Sequence, residues 1–345
     1  MLKRHLLEDF VMKKMNKTHA MPWLTSAMSP VKSVGSTLIA TVVYASFAAT
    51  PAFAAEPDSC KSVRFSDVGW TDITATTALA STVLEAIGYE PEAQVLSVPV
   101  TYTSLKNGDI DVFLGNWMPT MEADIAPYRE EGSVDVVRTN LEGAKYTLAV
   151  NSAAAELGIK NFADIASHAD ALDESIYGIE PGNDGNRLIQ DMLDKDAFNL
   201  KEFKVVESSE QGMLAQVARA TKRDNPVVFL GWEPHPMNAN FDLTYLEGGD
   251  DFFGPNLGGA TVDTNVRGGY VEECANVGQL LKNLSFTLAM ENEVMAAILD
   301  DGQEPMDAAK AWLSANPESL AGWLEGVNTV DGEPALDAAQ VALGL

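Results

Sequence analysis

Trp70, Trp117 and Trp232 occupy three similar settings in this 345-residue chain. The first follows Val63-Arg64-Phe65-Ser66-Asp67-Val68-Gly69, the second Phe113-Leu114-Gly115-Asn116, the third Phe229-Leu230-Gly231. Each reads as an apolar strand that stops at Gly and throws an indole into the following loop. In sheet-and-helix proteins, loops beyond the carboxyl ends of strands are where ligands bind. The face of an indole attracts a cation through its quadrupole, without needing a donor on the ligand. Three indoles so placed, in a very acidic chain, predict an aromatic cage for a small organic cation. Asp72, two residues beyond Trp70, would add a carboxylate. Taken singly, Asp72 could be a helix cap and each Trp a packing residue. Three tryptophans at strand ends are harder to explain that way.

Pro181-Gly182-Asn183-Asp184-Gly185-Asn186 lies between a strand and a helix, a position where backbone N–H groups hold anions. It lacks the Gly-Lys-Ser/Thr of a phosphate-binding loop, which argues against nucleotides. Its informative side chain is Asn183, suited to a hydroxyl; the plainer alternative is a helix-capping turn. Catalytic constellations are thin. Beyond residue 54 the chain has two histidines, His168 and His235, neither at metal-ligand spacing from another His or Cys. There is no Gly-x-Ser-x-Gly elbow, and carboxylates are too plentiful for any pair to signal acid–base work. The residues support no enzyme, metal site or cofactor.

Residues 1–54 read as an export leader. A basic stretch from Lys3 to Lys32 precedes an apolar run from Leu38 to Ala49 and the small-x-small site Ala52-Phe53-Ala54. The apolar run is shorter than the roughly 20 residues a membrane anchor needs. Met12-Lys13-Lys14 would make a more ordinary beginning. The expectation is a freely soluble, exported monomer in the periplasm, cleaved near Ala54. The leader carries six Lys/Arg and two Asp/Glu, so its loss leaves 17 basic and 48 acidic residues, a net charge near −31. Such a field repels nucleic acid and anionic lipid and favours encounter with cations; it also keeps an exported protein soluble. Cys60 and Cys274 lie in an exported chain, where disulfides persist. One long-range bridge is expected, with two buried thiols as the alternative. By the chain-entropy argument a loop that long is stabilised by roughly 4–5 kcal/mol.

Strand and helix signals alternate, so the fold class is α/β. Leu79, Val83 and Ile87 recur at helical spacing before Gly88. A strand is expected near Val95–Val100, a helix from about Thr103 and a strand at Asp111–Gly115. Further strands are read at Tyr146–Val150, Ile176–Ile179, Phe203–Val206 and Val227–Gly231, with helices from about Arg187 and over Gln211–Lys222. From Gly248 the chain reads as Gly-rich loops, then as helices over Val277–Asn292, Glu293–Leu299 and Asp307–Ala315.

Val68-Gly69-Trp70-Thr71-Asp72, Phe113 to Pro119, Gly143-Ala144-Lys145-Tyr146, Glu180-Pro181-Gly182-Asn183 and Phe229 to His235 together resemble the choline-binding proteins of ABC importers. More broadly they resemble the glycine betaine and proline betaine binders. The likeness covers essentially the whole chain beyond the leader, both cysteines included. It implies a two-lobed periplasmic-binding-protein fold of type II, with the ligand in the cleft. The implied cage is Trp70, Trp117, Tyr146 and Trp232 around a trimethylammonium group, with Asp72 and Asn183 at a hydroxyl. The implied partners are choline and an inner-membrane permease with its cytoplasmic ATPase. The lobes would be 55–142 with the return segment 247–345, and 143–246, crossing near Leu141–Tyr146 and Leu243–Gly249. A betaine ligand on the same scaffold is the alternative; an exported sensing domain or an enzyme acting on quaternary amines fits the residues less well.

Overall fold

The computed structural model describes residues 56–345, and the expected leader lies outside them. A mixed sheet of nine strands forms the frame, in the order β2-β1-β3-β9-β4-β7-β5-β6, with β8 pairing against β4. Its strands are β1 (Ser62–Asp67), β2 (Glu90–Val95), β3 (Val112–Met118), β4 (Val134–Asn151), β5 (Ser175–Tyr177), β6 (Lys204–Val206), β7 (Val228–Glu233), β8 (Leu243–Tyr245) and β9 (Gly259–Arg267). The β1–β2, β1–β3, β5–β6 and β5–β7 pairs are parallel, as expected where helices cover the connections. The long strands β4 and β9 join these two parallel groups in antiparallel register. β4 pairs with β9 through its first two-thirds and with β7 from Lys145 onward.

Helix α1 (Thr71–Ala86) follows β1 and is buried over most of its length. Small residues on it, among them Ala75, Ala78 and Ala80, let other elements pack close. It ends at Ile87, and Gly88 beyond it has φ +94°, as a helix terminus commonly requires. Helix α2 (Val98–Asn107) is bonded to β1 through Thr101 and Ser66 and to β3 through Tyr102 and Asn116, and α3 (Glu122–Glu130) packs against α2 and β4. Among the described residues, no helix is long and apolar enough to cross a membrane.

Several sequence-based limits need correction. The strand read at Val95–Val100 is β2, ending at Val95, and the helix read from Thr103 begins at Val98. Pro99 occupies the first turn of α2, where a missing N–H costs nothing. The glycines after Phe113-Leu114 and Phe229-Leu230 do not end their strands, so Trp117 and Trp232 lie within β3 and β7 rather than in loops. These glycines admit neighbours: a Cβ on Gly115 would meet Ile73 at 2.7 Å, and one on Gly231 would meet Ala149 at 2.9 Å. Trp117 pairs with Val262 and Trp232 with Tyr146. Both strands stop ahead of a cis proline, at Met118-Pro119 and Glu233-Pro234.

β9 replaces the end of the expected loop region. Ala260, Val262 and Thr264 are buried with Thr261 and Asp263 between them less so, the period of a strand with one face inward, while Asn265 and Val266 beyond are both buried. The helix read over Val277–Asn292 is two, Ala275–Asn283 and Leu288–Leu299, with the Thr287 hydroxyl capping the second. Cys60 and Cys274 form the expected disulfide, tying the start of the fold to a segment 214 residues on.

Candidate ligand-binding site

The six residues expected at the site converge on one cavity. Trp70, Trp117, Tyr146 and Trp232 provide rings, and Asp72 and Asn183 polar atoms. Ile179 and Asp184 complete the wall. Each ring comes from a different piece of backbone. Trp70 is the residue that opens α1; Trp117 lies one residue from the end of β3. Tyr146 and Trp232 are directly opposite each other on β4 and β7, which brings their side chains to the same face. The Tyr146 ring centroid is 6.0 Å from that of Trp117 and 6.3 Å from that of Trp232, tilted by 58° and 81°. Rings so spaced and inclined are walls, not a stack.

The Trp70 and Trp117 indole N–H groups are both held by carboxyl groups. Trp117 Nε1 donates to Asp72 Oδ2 at 3.0 Å, and Trp70 Nε1 donates to Glu180 Oε1 at 2.9 Å. These bonds leave the ring faces free, and they fix each indole's rotation. Tyr146 donates its hydroxyl to Asn183 Oδ1 at 2.9 Å. Asn183 also caps the helix Asp184–Asp194 by accepting from the N–H of Asn186 at 3.1 Å. The capping and ligand readings of this turn are therefore compatible. The Asn183 amide nitrogen donates to Asp184 Oδ1 at 3.2 Å, which keeps one N–H to spare.

Gly185 makes the Tyr146 position possible. A Cβ there would stand 2.0 Å from the Tyr146 hydroxyl oxygen and 3.0 Å from Asn183 Oδ1. Gly185→Ala should therefore displace the ring and weaken ligand binding by tenfold or more. Calorimetric titration alongside the parent chain checks this, and unchanged binding would show the ring to be dispensable.

Asp72 is buried, and its Oδ1 has no protein partner. Burial pushes its carboxyl up to about 8, with the nearby Glu210 carboxylate adding to the shift and the Trp117 indole opposing it. Asp184 Oδ2 is likewise unpartnered, and burial raises that carboxyl to about 6. Burial raises Glu180 to about 7. Further out, burial and Asp72 hold Glu291 well above the usual carboxylate range. A cation among these groups would favour their ionised forms. No Lys or Arg lines the cavity.

The sequence reading missed Asp184, Glu180 and Glu210. Asp184 and Glu180 sat in a motif already singled out, next to Asn183, and their number among 50 acidic residues hid them. Glu210 carried no signal beyond its place at the head of a helix.

A mixed α/β sheet carrying a ring-lined cavity defines a substrate-binding protein of the periplasmic-binding-protein class. The chain belongs to the family of substrate-binding domains of ABC-type glycine betaine transport systems, whose profile matches residues 61–315. It is similar, at 72% identity and a TM-score of 0.83, to the solved structure of an ABC-transporter choline binding protein in complex with choline. That match covers 84% of this chain and 100% of the other. The unliganded semi-closed conformation of an ABC-transporter choline binding protein matches at the same identity and coverage with a TM-score of 0.78. The glycine betaine/carnitine transport binding protein GbuC of Listeria monocytogenes is 31% identical over 162 residues, 47% of this chain and 53% of that protein.

Proposed function

We propose that this chain captures choline for an ABC importer, holding the trimethylammonium group among Trp70, Trp117, Tyr146 and Trp232. The observation that carries the reading is the combination of four rings with an unpartnered carboxylate oxygen and no cationic side chain in one cavity. A quaternary ammonium has no N–H to donate, so ring faces suit it where hydrogen-bond acceptors alone do not. Desolvated cation–π contacts contribute about 2 kcal/mol each, so four offer about 8 kcal/mol before ordering costs. That corresponds to an affinity near micromolar. The alcohol would donate to Asp72 Oδ1 and accept from the free N–H of Asn183. The 72% identical protein solved with choline supports this ligand.

Residues 55–142 and the return segment would form one lobe and 143–246 the other. β8 still pairs with the end of β4, at Asn151, and β9 begins at Gly259 beside Lys145. The proposed return crossing, near Leu243–Gly249, precedes β9. One lobe would supply Trp70, Asp72 and Trp117, the other Tyr146, Asn183 and Trp232. Choline then stabilises the form in which the half-cages meet, and hinge closure follows from that difference in affinity. The closed protein would dock on a membrane permease driven by an ATPase. The expected leader would direct this work to the periplasm, with cleavage near Ala54, and the protein would bind and release its ligand unchanged.

Glycine betaine is the second reading, favoured by the family to which the chain belongs. Calorimetric titration of the ligand-stripped protein with each compound separates them. Choline should bind near micromolar or tighter and betaine far more weakly; equal or stronger betaine binding would overturn the choice of ligand.

A further inference from the structure

The N-terminus of α1 is capped from far along the chain. Trp70 opens the helix, and its side chain provides no cap. The partner is Glu210, the first residue of the helix Glu210–Lys222, whose carboxylate is buried. Glu210 Oε2 accepts from the Thr71 N–H at 2.9 Å, and Oε1 from the Thr71 hydroxyl at 2.5 Å. Oε1 also lies 3.3 Å from His235 Nε2. His235 Nδ1 accepts from the Met237 N–H at 2.9 Å, so the ring proton sits on Nε2 and points at Glu210. An anion at a helix N-terminus gains from the exposed N–H groups and the helix dipole.

Its position makes this cap more than local. Thr71 stands between two residues of the proposed cage, Trp70 and Asp72. The His235 ring lies edge-on to a third, Trp232, with centroids 4.9 Å apart and planes at 74°. Glu210 itself does not line the cavity. It thus touches the supports of both half-cages and not the space between them. Two more links span the same boundary: Trp70 to Glu180, and Arg187 to both carboxylate oxygens of Asp124 and to the Thr120 carbonyl. Those are partly exposed, whereas the Glu210 bonds to Thr71 are buried.

We infer that Glu210, held by His235, is the clasp that locks the lobes closed over the ligand by capping α1 across the cleft. The inference rests on the choline reading above. Glu210 is a positioning residue: it acts on the lifetime of the closed form and leaves the ligand's own contacts alone. Opening breaks the cap, so a weaker cap speeds release more than it slows entry.

The test is stopped-flow indole fluorescence with choline on the full-length exported protein and on Glu210→Gln. An amide offers one acceptor oxygen and turns N–H groups toward donors. Choline should dissociate ten- to a hundredfold faster from the variant, with association changed less than about threefold. X-ray scattering should show that the variant compacts at saturating choline but needs at least tenfold more of it. Thr71→Val keeps the peptide N–H and removes one donor, so it provides a milder variant if Glu210→Gln folds poorly. It should speed dissociation severalfold, and combined with Glu210→Gln it should add little. Parent-like dissociation in both variants, with the parent binding choline, would overturn the clasp and leave the choline reading standing. A parent chain that does not bind choline would remove that reading and the clasp with it.

Discussion

Trp117→Ala should weaken choline binding by about two to three orders of magnitude. The indole has two jobs in the proposed cage: one face is a wall, and its N–H is the hydrogen bond to Asp72 Oδ2. Removing the wall forfeits about 2 kcal/mol of desolvated cation–π attraction. Removing the N–H leaves both oxygens of a buried carboxyl without a protein partner, which costs about 1–3 kcal/mol more. At about 1.4 kcal/mol per factor of ten, the total reaches the stated range. Trp117→Phe separates the two effects, since it keeps a ring face and drops the donor; a loss of about tenfold is expected. Titration calorimetry reads both. Parent affinity in Trp117→Ala would show that this ring is not a wall of the site.

The second large effect concerns Asp72 and the choice between choline and betaine. An ionised Asp72 would repel a betaine carboxylate, but burial pushes the carboxyl up to about 8. Choline brings a net positive charge into the cavity and favours the carboxylate; a betaine brings none. Capturing choline from neutral solution therefore expels the Asp72 proton, while betaine can leave it in place as a donor to its own carboxylate. A complex that holds fewer protons than the free protein gains affinity as pH rises. Choline affinity should climb from pH 5 toward pH 8, by up to about tenfold per unit, and level off above. Betaine affinity should change little, so discrimination widens with pH. Asp72→Asn should flatten the choline profile and narrow the gap between the ligands. Titrations across pH 5–9 in the two proteins check this; an identical slope in Asp72→Asn would assign the proton elsewhere, with Asp184 and Glu180 the next groups to try.

Most of the fold was legible because its signals are local. The helix over Leu79, Val83 and Ile87 announces itself by spacing and a terminal glycine, and the short parallel strands by apolar runs. β9 was not, since its alternation of Ala260, Val262, Thr264 and Val266 is interleaved with Thr, Asp and Asn and embedded among glycines. Its pairing with β3 and β4 decides it, and pairing is not a local property. The same holds for Gly115 and Gly231, which read as strand stops yet serve close approach by residues distant in sequence. The three tryptophans of the proposed cage, Asp72 and Asn183 were visible from their own settings, and Tyr146 only through the resemblance to the family. Glu210 could not be seen, because its role depends on a helix terminus 139 residues away.

In the proposed complex, four rings enclose the trimethylammonium of choline between two lobes. A crystal structure of the exported chain grown with choline tests it most directly. The ammonium group is expected against the faces of Trp70, Trp117, Tyr146 and Trp232, with the alcohol on Asp72 Oδ1 and the Asn183 amide. Choline bound elsewhere, or held there with its ammonium turned away from the rings, would contradict it.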